Sequence, residues 1–127
     1  MAKWLRTLEA LDVRRAQAFW ALDAGILDEI YVPGSGPWSA DRAMLMAYRE
    51  QQVRVRGLRI QIDTTTVERR TASSVTLRTV DHLVGGELVD RNGTKTPLPP
   101  GTPTTRLITL TTTPANPTWR ITTITSA

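Results

Sequence analysis

The sequence predicts an α+β domain in which helices come first and a mostly antiparallel sheet follows. Composition changes near Gly57: the residues before it are rich in Ala, Leu, Arg and Glu, and almost every threonine lies after it. Before the change, apolar residues recur at three- and four-residue spacing, the mark of one helical face. After it they recur at every second position, as on a strand with one buried face. Helices grouped ahead of strands give an α+β layout rather than alternating layers.

Leu5, Leu8, Leu11, Arg15, Ala18 or Phe19, and Leu22 form one stripe, which predicts a helix running through Leu11 to Leu22. The chain pauses at Asp23-Ala24-Gly25, and a short second helix over Ile26 to Ile30 packs Ile26, Leu27 and Ile30 inward. Tyr31-Val32 then runs into Pro33-Gly34-Ser35-Gly36-Pro37, read as a stretch that no helix crosses. Ser39 is the expected N-cap of a third helix that continues through Met44, Leu45, Tyr48 and Gln52.

Leu58, Ile60 and Ile62 alternate with Arg59, Gln61 and Asp63, the clearest strand in the chain. Val75 to Val84 is β-branched and forms a second strand, with Gly85-Gly86 allowing a turn or bulge into Glu87 to Asp90. Asn92-Gly93 predicts a hairpin between Leu88-Val89 and the residues after Gly93. Pro97 to Pro103 reads as a loop, because its prolines remove ladder donors. Two last strands, Arg106 to Thr113 and Trp119 to Thr125, flank Pro114-Ala115-Asn116-Pro117. The total is about five or six strands in a single domain spanning residues 1–127.

Composition excludes several classes of function. With no cysteine there is no disulfide framework, thiol catalysis or Cys-based zinc site, and one histidine gives no usual transition-metal cluster. No cofactor or metal is therefore expected. The net charge of +4 is carried mostly by arginines spread along the chain, which reads as solvated faces and no nucleic-acid surface. MAKWLRTLEALDVRR lacks the apolar core of a signal peptide, and no later run approaches ~20 apolar residues. The segment is expected to be soluble, with no membrane contact of its own and its compartment undetermined. Gly34-Ser35-Gly36 lies after a helix and before a proline, so it fails the context of a phosphate cradle.

LDVRRAQAFWALDAGILDEIYVPGS, followed by SADRAMLMAYREQQVRVRGLRI and closed by Trp119-Arg120-Ile121-Thr122, resembles the NTF2-like or SnoaL-like superfamily over nearly the whole chain. It is most similar to an actinobacterial group often found as the outer domain of larger membrane-linked proteins. The resemblance implies N-terminal helices packed in a strongly bent, mostly antiparallel mixed sheet, a cystatin-like cone. It also implies that the helical break lets two short pieces follow the curvature of the sheet. Isomerases, cyclases, dehydratases and noncatalytic modules share this superfamily, so activity has to be argued from polar residues facing the cone.

Asp81 and His82 suggest an acid–base pair, but neighbours on a strand point to opposite faces unless a bulge intervenes. A buried Asp81 would serve as a general base; otherwise it pairs with a cross-strand arginine or a backbone donor. His82 sits at a rim or surface, or against a ligand. In isomerase-like relatives a pocket aspartate abstracts a proton while a tyrosine stabilises the oxyanion, and Tyr31 or Tyr48 would be that donor here. Trp20, Trp38, Tyr48 and Trp119 either line a pocket for an apolar ligand or plug the cone, and Trp4 packs at an edge or a partner surface.

Two functions follow. The first is a noncatalytic association or scaffold module that forms a homodimer or docks to a protein partner through polar, uncharged, Thr-rich strands. In this reading no residue is catalytic. The second is a small SnoaL- or ketosteroid-isomerase-like enzyme, or a binder of an apolar small molecule. It would use Asp81 as base, Tyr48 as oxyanion donor, and Trp20, Trp38, Tyr48 and His82 as ligand contacts.

Overall fold

A computed structural model of the chain describes residues 2–127. Helix α1 runs over Ala2–Ala21, starting shortly before Leu5, the first residue of the predicted stripe, and buries Trp4, Leu8, Leu11, Ala18 and Phe19. Trp4 is core: its ring meets Trp119 edge-on, with centroids 5.1 Å apart. The helix stops because Leu22 turns left-handed at φ 55°. Asp23 then caps a 3₁₀ segment, Ala24–Glu29, its side chain accepting from the Gly25 N–H. A Cβ on Gly25 would stand 3.1 Å from that Asp23 oxygen, so the small residue is part of the cap. The break is therefore a built reversal that seats Leu27 and Ile30 in the core.

Helix α2 spans Gly36–Gln51, and its N-cap is Ser35, not the expected Ser39. The Ser35 hydroxyl accepts from the Trp38 N–H, and Pro37 falls in the first turn, where no backbone N–H is needed. The Pro33–Pro37 stretch thus starts a helix at its centre instead of excluding one. Gln52, left-handed at φ 56°, ends it.

Five strands follow: β1 Arg54–Arg70, β2 Ser74–Val89, β3 Lys95–Pro97, β4 Thr104–Thr111 and β5 Arg120–Ser126. They form one sheet in the order β1-β2-β4-β5, with β3 on part of β2. Every pair among these five strands is antiparallel. The parallel element is a single bridge from Tyr31 to Ile121, where the Val32 and Ile121 N–H groups donate to Ile121 and Ile30 carbonyls.

Strand β2 holds the fold together. Its first half pairs with β4 and its last residues with β3, and its whole length pairs with β1. The strand continues through Gly85-Gly86, where register shifts at Arg56/Arg59 and Arg59/Ile60 mark the expected bulge and Gly86 takes φ 142° beside Leu98. Register shifts along β1 at Arg56/Arg59, Arg59/Ile60, Ile62/Thr64 and Val67/Arg69 place bulges in the long ladder, and bulges bend a sheet. Helix α1 packs mainly on β1 and α2 on β5, so both helices lie against one face of the bent sheet. Val75, Leu77 and Leu110 meet Phe19, Leu27 and Leu45 in the core between them.

Candidate functional site

The core does not fill the cone. A cavity of about 740 Å³ remains between the helices and the bent sheet, within the range of small-molecule sites. Its walls are largely aliphatic, with Leu8, Leu11, Ile60, Ile62, Ile108 and Ile124 among them. Polar groups come from five parts of the chain: Asp12 and Arg15 on α1, Tyr31 after the 3₁₀ segment, Asp41 on α2, Thr79 and Asp81 on β2, and Arg106 on β4.

These groups fall into two closed sets and a remainder. Arg15 forks onto the buried Asp41 through Nε at 2.6 Å and Nη2 at 3.0 Å. The Tyr31 hydroxyl donates to the same carboxylate at 2.5 Å. Burial, then the neighbouring Asp41 charge, pushes the Tyr31 hydroxyl pKa well above the ordinary phenol range. Burial opposes the Arg15 charge, but the hydrogen bond with Asp41 and the charge of that carboxylate, with smaller help from Tyr31 and Asp12, together outweigh the cost and keep the guanidinium charged. The second set is a single ion pair, Arg106 Nη2 donating to Asp81 Oδ2 at 2.6 Å. Asp12 is the remainder: among the described residues it has no arginine within ion-pair distance, and it lies half-buried one turn before Arg15. Burial is the main cause that pushes its carboxyl up to about 6. Thr79 Oγ1 and Arg106 Nε are buried with no hydrogen-bond partner among the described residues.

Asp81 faces inward and meets a cross-strand arginine. His82 also borders the cavity, and facing it β1 has a register shift at Ile62/Thr64. There Asp63 is the extra residue, and its carboxylate lies 3.1 Å from His82 Nδ1. His82 therefore pairs with Asp63 rather than with Asp81.

Three expected ligand contacts lie elsewhere. Trp20 is 45% exposed, with the Arg54 guanidinium over its ring, and it borders a separate recess. Trp38 donates its indole N–H to Asp28 at 2.8 Å and lies under Arg42. Tyr48 stacks edge-on against Phe19 in the packing between helix and sheet. Of these three rings, Tyr48 is taken by packing between elements, where a flat ring covers apolar area, and Trp20 and Trp38 lie under arginines. They neither line the cavity nor plug it.

Sequence reasoning missed Asp12, Asp41, Thr79 and Arg106. Asp12 carried a signal, since Leu8, Leu11, Asp12 and Arg15 share one helical face and two of them are charged. Among the described residues no group of three or more His, Cys, Asp or Glu side chains is disposed to hold a metal ion. No helix of the described residues is long and apolar enough to cross a membrane.

No family model and no curated protein sequence matches the chain. Solved structures do match in fold. The intermembrane space region of the chloroplast protein ARC6 aligns at TM-score 0.66 and 11% identity, covering 99% of this chain and 96% of that one. Aln2 from a Streptomyces species aligns at TM-score 0.58 and 16% identity over 99% of this chain and 92% of its own. A Catenulispora acidiphila protein in complex with S-DNPA aligns at TM-score 0.55 and 13% identity, over 98% and 92%. At these identities the likeness establishes the fold, the NTF2-like, SnoaL-like cone that the sequence resembled.

Proposed function

We propose that this NTF2-like cone is a noncatalytic binding module whose cavity takes a small, mostly apolar molecule. The observation that carries the reading is an open cavity of about 740 Å³ with aliphatic walls, whose arginines are already paired. Burying an unpaired charge is expensive, and the internal pairs let an apolar guest enter without stranding Arg15, Asp41, Asp81 or Arg106. The same pairing argues against isomerase-type chemistry. Asp81 is tied to Arg106, the Tyr31 hydroxyl donates its hydrogen bond to Asp41, and Tyr48 lies outside the cavity, so the base and the donors expected for that chemistry are not brought together. The Catenulispora acidiphila protein of the same fold, described in complex with S-DNPA, is compatible with a ligand-binding use of the cone.

Six isoleucines of the described residues line the cavity, namely Ile30, Ile60, Ile62, Ile108, Ile121 and Ile124. Methyl NMR with a panel of neutral apolar fragments should shift these methyls saturably. Ala40→Trp, at the exposed mouth, should suppress the shifts while leaving the fold intact. Methyls that stay unmoved by every fragment would remove the reading.

Self-association is the second reading, and the outer edge of β5 favours it. Beyond Arg120 this strand, ITTITSA, carries no side-chain charge, and it is the last strand in the sheet order. Uncharged edges offer unpaired backbone groups to a second copy. A homodimer closed through this edge is compatible with a liganded cone. The ARC6 region is by its description part of a protein of a membrane-bounded space, which supports placing this domain within a larger membrane-linked protein.

A further inference from the structure

Within the cavity, charges of opposite sign cancel in pairs until one carboxyl is left. Arg15 neutralises Asp41 and Arg106 neutralises Asp81, each through a hydrogen-bonded contact. His82, at the rim, is engaged by Asp63. Asp12 has no such partner among the described residues, and it lies on α1 in the lining of a space whose apolar walls are largely leucine and isoleucine. In the same space the fully buried Thr79 hydroxyl has no partner among the described residues and can accept a hydrogen bond. We infer that the cone selects an amphipathic monoamine, its ammonium group held by the Asp12 carboxylate and its apolar body lying against the aliphatic walls. This rests on the reading of the cone as a ligand site.

An anionic head is the competing chemistry, because Arg106 Nε also lacks a partner. The ion pair with Asp81 leaves that arginine no net charge to offer, and an anion would sit beside three carboxyl groups. The charge of Asp12 is controlled from every side that packs on it. Glu9 and Arg15 lie on its own helix, Tyr31 and Asp41 on the neighbouring helical elements, and Asp81, His82 and Arg106 on the sheet. Burial dominates, and Arg15 and Arg106 only partly offset it, so the carboxyl titrates at about 6. A bound ammonium favours the ionised form. The amine therefore binds more tightly as pH rises through that value, and a neutral guest of the same shape gains far less.

The test uses the whole chain with three probes of one shape: adamantylmethylamine, adamantylmethanol and adamantanecarboxylic acid. Each is titrated calorimetrically near pH 8 and near pH 5. The expected result is that the amine binds best at the higher pH and loses about tenfold in affinity at the lower one, the fraction of Asp12 ionised having fallen to about a tenth. Asp12→Asn should remove both the preference and the pH dependence while the alcohol still binds, which also reports an intact cone. An acid that binds more tightly than the amine overturns the proposal, as does a pH dependence that survives in Asp12→Asn. Equal binding of amine and alcohol sinks the amine selectivity alone. Binding of none of the three removes the ligand-site reading with it.

Discussion

Asp12 works against the stability of the folded state. Its carboxyl is raised by burial from 3.8 to about 6, so the native chain holds that proton more tightly than the unfolded chain does. The stabilising contribution is fully present below about pH 4 and is lost as pH rises toward about 6. Asp12→Asn, which cannot ionise, should therefore raise stability by about 2 kcal/mol at neutral pH, with the gain vanishing near pH 4. Denaturant unfolding at the two pH values measures it, and an equal gain at both would refute the burial account. A costly charge facing a cavity is what a binding site retains. This residue was half legible: its place on an apolar helical stripe was visible in the sequence, but its lack of a partner depended on Asp41 capturing Arg15 from 26 residues away. The tryptophans drew attention as ligand walls because of their size, and the same size drew Trp4 and Trp119 into the core contact.

At the scale of elements, periodicity found those parts that bury one face and missed those that do not. Leu58 to Ile62 alternate and were recognisable, but β1 continues through Thr64 to Arg70, largely exposed and without apolar alternation. Its partner β2 supplies the reason, since cross-strand pairing carries through to Arg70 and Val75. The start of α2 was misplaced for a different cause: the prolines and glycines were read as a barrier, whereas Ser35 and Pro37 are a cap and a first-turn residue. Ser35→Ala should cost about 1 kcal/mol in thermal or chemical unfolding, and Ser39→Ala close to nothing. The reverse order would restore the later start. Gly86→Ala should cost more than Gly85→Ala. Only the former has a left-handed φ, and only it would bring a Cβ within 3.1 Å of a side-chain atom, Leu98 Cδ1.

For the whole molecule, the order of helices and strands was readable, and the bend of the sheet came through resemblance rather than periodicity. The emptiness of the cone was not readable, because it depends on where the large side chains come to rest. Association is a property of this scale. If two copies join along β5, Thr123→Lys at an exposed edge position should lower the molecular mass measured by light scattering at high concentration to that of one chain. A wild-type chain that is already monomeric would end that reading while leaving the cone site untouched. The parallel bridge at Tyr31 has a mechanical meaning as well. Ile121 is gripped by Leu110 of β4 in register on one flank, and by the Ile30 and Val32 backbones on the other. A pull along β5 must shear both grips together instead of unzipping one, so the end of the chain is fastened by a clasp that resists tension at the point where helices and sheet meet.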